Sequence, residues 1–185
     1  SSSRRLPNKV LKKICGQPLL KLIISRVKNS SRKYPIIVNT SSHKSDDKII
    51  KLCKKEKINY FRGDLNNVFD RTIKCCKKFK LKSFVRINAD RPYLDYKLIN
   101  KMIYMFSKEK FDIVTNQFPK TVPKGLACEV ASSKLFFDLE KTKMKKRDQE
   151  NIFYFFYKNS KNYKKFNLKD KFLSKIKNKN FSIDT

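Results

Sequence analysis

Apolar residues recur along this chain in short blocks whose spacing switches between the helical and the strand period. Leu19, Leu20, Ile23, Ile24 and Val27 fall on one face of a helix, which Pro18 opens well at its first position. Ile36, Ile37 and Val38 stand consecutively within Pro35 to Thr40, the pattern of a short strand buried on both faces. Asp46 and Asp47 then open a second helix, with Ile49, Ile50, Leu52 and Cys53 inward and the acids at its positive end. Ile58 to Phe61 reads as a second strand that ends at Arg62-Gly63. A third helix is expected from Asn67 to Phe79, followed by a third strand from Ser83 to Asn88.

Beyond the turn from Ala89 to Asp95 the pattern predicts a helix to Ser107, with Asp95 as its cap, and a strand from Phe111 to Thr115. A crossing segment from Leu126 to Ala131 precedes two helices, Ser133 to Glu140 and Gln149 to Asn159. The Lys- and Asn-rich stretch from Asn159 to Asn180 reads as a loop with a short strand near Phe166, and Phe181 to Ile183 as a final strand. Apolar strands alternating with amphipathic helices predict an α/β fold, a mostly parallel sheet with helices on both faces. Ligands of such sheets bind outside the carboxyl ends of the strands.

Length and composition narrow this further. A chain of 185 residues suits one domain, 1–185, with a sizeable core. No apolar run approaches the ~20 residues that span a bilayer, so a soluble, cytoplasmic protein without membrane insertion is expected. Five cysteines with no C-x-x-C pair read as reduced core residues. The formal charge of +30 would ordinarily point to nucleic acid. Its make-up argues otherwise. Lysines number 37 against nine arginines, glycines and alanines only three each, and AT-rich coding alone gives that bias. The lysines also spread over nearly every segment, so a solvated basic surface is expected and no specific nucleic-acid partner.

Three places could carry chemistry. The first is the opening, Ser1-Ser-Ser-Arg-Arg5-Leu-Pro-Asn-Lys9, where Arg5 and Lys9 suit a triphosphate clamp: Arg binds phosphate oxygens bidentately and Lys acts as a point charge. No P-loop is present, and a basic tail is the plainer alternative. The second is Val85-Arg-Ile-Asn-Ala-Asp90-Arg-Pro-Tyr-Leu-Asp95. An aspartate just past a buried strand projects into the ligand crevice, where it can hold magnesium together with substrate phosphates; a structural turn aspartate is the alternative. The third is the end, Phe181-Ser-Ile-Asp184-Thr185.

All three resemble segments of the cytidylyltransferases that activate sugars, the spore-coat polysaccharide, acylneuraminate and KDO types. The opening is similar to that family's Arg-Met-Gly-Ser-Thr-Arg-Leu-Pro-Gly-Lys, with Ser2, Ser3, Arg5, Leu6, Pro7 and Lys9 in place. The segment at Asp90 resembles Arg-x-Thr-Ala-Asp-Asn-Pro-Leu-Ile-Asp, and the end resembles Leu-Thr-Val-Asp-Thr. The match continues through Val38-Asn-Thr-Ser41, Asp46-Asp47, Phe61-Arg62-Gly63 and Arg71. Pro123-Lys-Gly125-Leu-Ala-Cys-Glu129-Val130 resembles Pro-x-Gly-Leu-Asp-Val-Glu-Val, with Ala127 in place of the acid, and Gln149-Glu150-Asn-Ile152 resembles Arg-Glu-His-Val.

The resemblance implies a three-layer, Rossmann-like nucleotide-diphospho-sugar-transferase fold and transfer of CMP from CTP to a sugar acceptor, an acidic one, with release of pyrophosphate. Ser2, Ser3, Arg5, Lys9, Arg62, Arg71 and Asp90 would bind nucleotide, and Arg5, Lys9 and Asp90 would carry catalysis. Asp90 and Asp184 would hold Mg2+, while Gly125, Glu129 and Glu150 would face the acceptor. The region of Tyr154 to Tyr157 would contribute to a homodimer. The family's first strand precedes the loop that opens this chain, so a piece trimmed at both ends is expected. Two other readings stay open: a basic, non-catalytic nucleic-acid module, and the same fold with another nucleotide or without activity.

Overall fold

The computed structural model describes residues 9–30 and 34–183. A two-residue hairpin, β1 (Lys13–Ile14) against β2 (Gln17–Pro18), leads into α1 (Leu19–Lys28). Pro18 ends that hairpin and sets the backbone for the helix, whose Leu19, Leu20, Ile23 and Ile24 are buried. The next strand, β3 (Ile37–Ser41), pairs in parallel with β4 (Asn59–Gly63), and α2 (Asp47–Lys55) forms the crossover. After α3 (Val68–Lys78) comes β5 (Ser83–Arg86), then α4 (Tyr96–Glu109) and β6 (Ile113–Thr115). β7 (Glu129–Ser132) runs straight into α5 (Ser133–Asp138). The short helices α6 (Lys146–Glu150) and α7 (Tyr154–Lys158) precede β8 (Lys165–Asn167) and α8 (Lys171–Lys175).

The second sheet has the order β5-β7-β6-β8. β7 is antiparallel to both β5 and β6, and β8 is parallel to β6, so three of the four strands point the same way. Both faces of this sheet are covered, which the alternation of side chains makes visible. Ile113 of β6 and Ala131 of β7 join Phe84 in an aromatic core with α3, α5 and α7. Their neighbours Val114 and Val130 join Val85 on the opposite face, against Leu98, Ile99 and Met102 of α4. A third cluster, from α1, α2 and the β3–β4 pair, holds Leu20, Ile24, Ile49 and Cys53. The architecture is therefore the expected α/β layering, with a sheet in which one strand is reversed. Among the described residues, no helix is long and apolar enough to cross a membrane.

Four local expectations change. The helix expected from Gln149 to Asn159 is two helices, because Ile152 and Phe153 turn into the core between them and Asn151 leaves helical geometry (φ −106, ψ 75). The stretch from Asn159 to Asn180 contains α8 as well as β8; Asp170 caps α8 by accepting from the amides of Phe172 and Leu173. Phe181 to Ile183 forms no strand; next to a bridge between Lys124 and Asn180, the Phe181 amide donates to the Lys124 carbonyl and the Ile183 amide to the Asp90 carbonyl. Cys15 is exposed, while Cys53, Cys75, Cys76 and Cys128 are buried as expected.

Candidate functional site

The chain leaves β5 at Arg86 and turns through residues 87–95 before Asp95 caps α4 by accepting from the Lys97 amide at 2.8 Å. Asp90 lies in that turn. Lys9 Nζ donates to Asp90 Oδ2 at 3.3 Å and to the Ile183 carbonyl at 3.3 Å, and the Ile183 amide donates to the Asp90 carbonyl at 2.9 Å. Lys9, Asp90 and Ile183, from the start, the middle and the end of the chain, thus meet at one point. Asp90 Oδ1 is buried and accepts no hydrogen bond; the Arg91 Nε approaches it at 3.9 Å.

Gly125 makes this meeting possible. It adopts φ +100, and a Cβ there would lie 2.5 Å from the Phe181 carbonyl carbon and 2.6 Å from the Ser182 nitrogen. Only glycine gives both the backbone conformation and the room for the terminal segment to pass.

Glu129 begins β7, opposite Arg86 of β5 in the ladder, and is 3% exposed. Its Oε1 accepts from the Tyr157 hydroxyl at 3.3 Å and lies 3.6 Å from Arg86 Nη1, while its Oε2 is buried without a partner. Thr115 shares a 2.9 Å hydrogen bond with the same Tyr157 hydroxyl. Burial and the nearby Glu129 charge push the Tyr157 phenol well above its ordinary pKa, so it is a neutral donor. Arg91, which follows Asp90 in the turn, has its Nη1 buried and unpartnered. Burial lowers the pKa of its guanidinium, and Glu129 is the charge that opposes this most strongly.

At the ends of β3 and β4 the polar groups are more fully used. Asp46 is 4% exposed and turns back from α2 to accept from Thr40 Oγ1 at 2.7 Å, Ser41 Oγ at 2.6 Å and the Ser41 amide at 3.0 Å. Burial raises its pKa, but the hydrogen bonds its carboxylate accepts, those of Ser41 and Thr40 among them, together outweigh burial and hold it below the usual carboxylate range. Arg62 donates to the carbonyls of Ser41, Ser42 and His43 and pairs with Asp47 at 2.8 Å. Arg71 donates through Nη1 to the Asp64 carbonyl at 2.7 Å, and its Nε is buried without a partner. Asn39, Thr40, Ser41, Arg71 and Ala89 line a cavity of about 240 Å³ that opens beside Asp46.

Of the residues expected at the site, the structure joins Lys9 and Asp90, sets Gly125 against the terminal segment at Phe181 and Ser182, puts Glu129 in a polar cluster with Arg86 and Tyr157, and puts Arg71 on the cavity. Arg62 spends its donors on the chain itself. Glu150 closes α6 and is exposed. Ser2, Ser3, Arg5 and Asp184 lie outside the described residues. Sequence reasoning missed Arg91 and Tyr157. A second cation directly after Asp90 was the available signal for Arg91; for Tyr157, inside an aromatic run that reads as core, nothing signalled a polar role. No group of three or more metal-binding side chains forms among the described residues. A buried carboxylate oxygen without a donor still fits a cation such as Mg2+, which takes one or two carboxylates and fills its other positions with phosphate and water.

Known proteins resemble this chain in sequence and in fold. A sequence profile described as cytidylyltransferase matches residues 1–184. An uncharacterized protein of Methanocaldococcus jannaschii is 31% identical over 185 residues, which is 100% of this chain and 75% of that one. The spore coat polysaccharide biosynthesis protein SpsF of Bacillus subtilis is 28% identical over 143 residues, 75% of this chain and 58% of that protein. Among solved structures, a cytidylyltransferase from Leptospira borgpetersenii superposes with a TM-score of 0.90 at 25% identity, over 99% of this chain and 77% of the other. A CMP-2-keto-3-deoxy-manno-octonic acid synthetase in complex with CTP shares the fold, with a TM-score of 0.68 at 13% identity over 91% of this chain and 86% of that one.

Proposed function

The chain belongs to the cytidylyltransferase family, and from that premise we propose that it transfers CMP from CTP to an acidic sugar and releases pyrophosphate, as a step in building a cell-surface polysaccharide. The observation that carries the reading is the juncture of Lys9, Asp90 and Ile183 past the carboxyl end of β5. It puts a cation and a carboxylate with one open oxygen where an α/β sheet binds its ligand.

A hydroxyl of the acceptor attacks the α-phosphorus of CTP, the new P–O bond forms, and the bond to pyrophosphate breaks in line. Little covalent chemistry is asked of the protein, so positioning and charge neutralisation do most of the work. Lys9 and Arg5 hold the departing phosphates in this scheme, and Arg71, which lines the cavity beside Asp46, is assigned to the nucleotide. Asp90, with Asp184 as the residue that follows Ile183, is the carboxylate set for Mg2+. When bound, that ion neutralises charge on the phosphates.

The test is release of pyrophosphate from CTP and magnesium with a panel of sugar acids, each also offered UTP and GTP. Release with CTP and at least one acid is expected. Release with UTP or GTP in preference to CTP would overturn the choice of nucleotide, and no release from any combination would sink the reading.

A further inference from the structure

Lysines recur along the whole chain, but the acids that answer them do not. Lys158 to Lys179 hold nine lysines and one aspartate, a net +8 of the chain's +30 within 22 of its 185 residues. A coding bias acts on the whole chain and does not empty one segment of acids. Elsewhere cations meet carboxylates: Lys21 pairs with Glu56 at 2.8 Å, Lys74 with Asp70 at 2.8 Å, Lys77 with Glu140 at 2.6 Å and Lys134 with Asp138 at 2.6 Å. Among the described residues, none of the nine lysines forms an ion pair with a carboxylate. The segment's one acid, Asp170, accepts from the amides of Phe172 and Leu173 at the start of α8.

Tertiary contacts lay this segment along one side of the molecule. β8 ends the strand order of its sheet, so among the described residues its outer edge has no neighbouring strand. Lys164 Nζ donates to the Glu109 carbonyl, where α4 ends, at 2.9 Å, and the Asn167 side chain donates to the Pro119 carbonyl at 3.0 Å. Farther on, Ser174 Oγ donates to the Thr121 carbonyl at 3.2 Å, and the Lys179 carbonyl accepts from the Lys124 amide at 3.1 Å. Eight of the nine lysines are exposed, and Lys165 is half-buried over the Phe118 ring. A lysine on an edge strand guards it against pairing with another chain; Lys165 supplies that one, and the other eight lie outside β8. Phe172, between Lys171 and Lys175, is 69% exposed, the most exposed large apolar side chain among the described residues.

We propose that this edge docks the protein on the surface of an anionic lipid bilayer, with Phe172 entering the headgroup boundary and the surrounding lysines facing lipid phosphates. The contact is peripheral and reversible and needs no membrane span. Its chemistry favours a bilayer over a nucleic acid. The segment contains no arginine, the residue whose planar fork grips a single phosphate; its lysines are hydrated point charges that answer a field spread over a surface. Of its rings Tyr163, Phe166 and Phe172, only Phe172 is exposed, whereas a single nucleic-acid strand is held by several rings in succession.

The test is co-sedimentation with vesicles of phosphatidylcholine alone and of phosphatidylcholine mixed with phosphatidylglycerol, beside titration of a mixed-sequence RNA oligonucleotide. Two variants remove the same charge from different places. One combines Lys169→Gln, Lys171→Gln, Lys175→Gln and Lys177→Gln on the edge; the other combines Lys48→Gln, Lys51→Gln, Lys54→Gln and Lys55→Gln on α2. All eight side chains are exposed, so both variants should melt as the wild type does. Expected is binding to the mixed vesicles, none to phosphatidylcholine alone, and weakening as salt is raised. The edge variant should bind the mixed vesicles at least about 30-fold more weakly, each lysine near an anionic surface being worth about fivefold, and the α2 variant should stay within about threefold of the wild type. Phe172→Ser should weaken binding about fivefold with the charge unchanged.

No binding of the wild type to the mixed vesicles overturns the proposal. Equal losses in the two lysine variants overturn it as well, since total charge would then be the cause, and so does an unchanged affinity in Phe172→Ser. Tighter binding to the RNA than to the mixed vesicles at equal phosphate concentration would make the edge a nucleic-acid surface instead. These readouts need neither CTP nor turnover, so they stand or fall separately from the function proposed above.

Discussion

The aromatic core under α3, α5 and α7 and the polar cluster at Glu129 are built on the same two strands, a few residues apart. Phe84 and Arg86 lie on one face of β5, Ala131 and Glu129 on one face of β7, and Phe153 contacts both regions. Along that face, Phe84 packs edge-on against Phe136 at 5.1 Å, and Phe136 in turn meets Phe69, Phe153 and Phe156. Every ring there finds its partners within the chain. At the strand ends Asp90 and Arg91 are only half-buried and Glu129 is buried, yet the buried atoms Asp90 Oδ1, Arg91 Nη1 and Glu129 Oε2 lack partners. Apolar contact is non-directional and closes on itself, whereas hydrogen bonds need a donor and an acceptor in register. What the chain leaves unmade here stays open to a partner from outside it.

Four perturbations break or sharpen this contrast. The largest strikes the closed region: Phe136→Ala should cost about 3–5 kcal/mol of stability through the cavity it leaves, seen as a lowered melting temperature. Nucleotide binding below that temperature should persist, because no open polar group is touched. Asp90→Asn makes the opposite cut. It should lower pyrophosphate release by at least about 100-fold, the scale of losing one charge-stabilising group, while the melting curve barely moves.

Asp46 is the intermediate case, a buried carboxylate whose partners all come from the chain. Asp46→Asn should cost about 1–3 kcal/mol, since the donors of Thr40, Ser41 and Ser45 lose their charged acceptor. Its folded pKa lies below the ordinary 3.8, so its stabilisation is complete above that value and is lost as pH falls from 3.8 toward the folded value. Denaturation measured between pH 6 and pH 2 should show a shallower acid limb in the variant. The most local effect is expected at the seam. Gly125→Ala should cost about 1–3 kcal/mol of local strain and speed hydrogen exchange at the Phe181 and Ile183 amides, leaving the aromatic core's exchange unchanged.

Much of the closed region was legible in the sequence. The helical spacing of Val68, Phe69 and Ile73 marked the inward face of α3, and the strands at Phe84 and Ile113 fell close to where they were expected. Periodicity erred where a buried pair interrupts a helix, at Ile152 and Phe153, because an apolar run reads the same whether the backbone continues or turns. Asp46 shows the same limit for polar groups. At a helix start it reads as a dipole partner, but it is turned back and buried against β3, since the hydroxyls of Thr40 and Ser41 come close enough only once β3 and α2 have packed.

The sequence alone determined the alternation of strands and helices, hence the layers, and through its motifs it marked Lys9 and Asp90 as candidate site residues. Those features depend on residues near one another in the chain or on spacing that survives without a partner. Only the tertiary structure decided that Lys9, Asp90 and Ile183 meet, that Gly125 is there to let the terminal segment pass, and that Arg91 and Glu129 are left with opposite vacancies. Such relations are set by ångström-scale distances and directions between residues far apart in sequence, and those are fixed when the layers close.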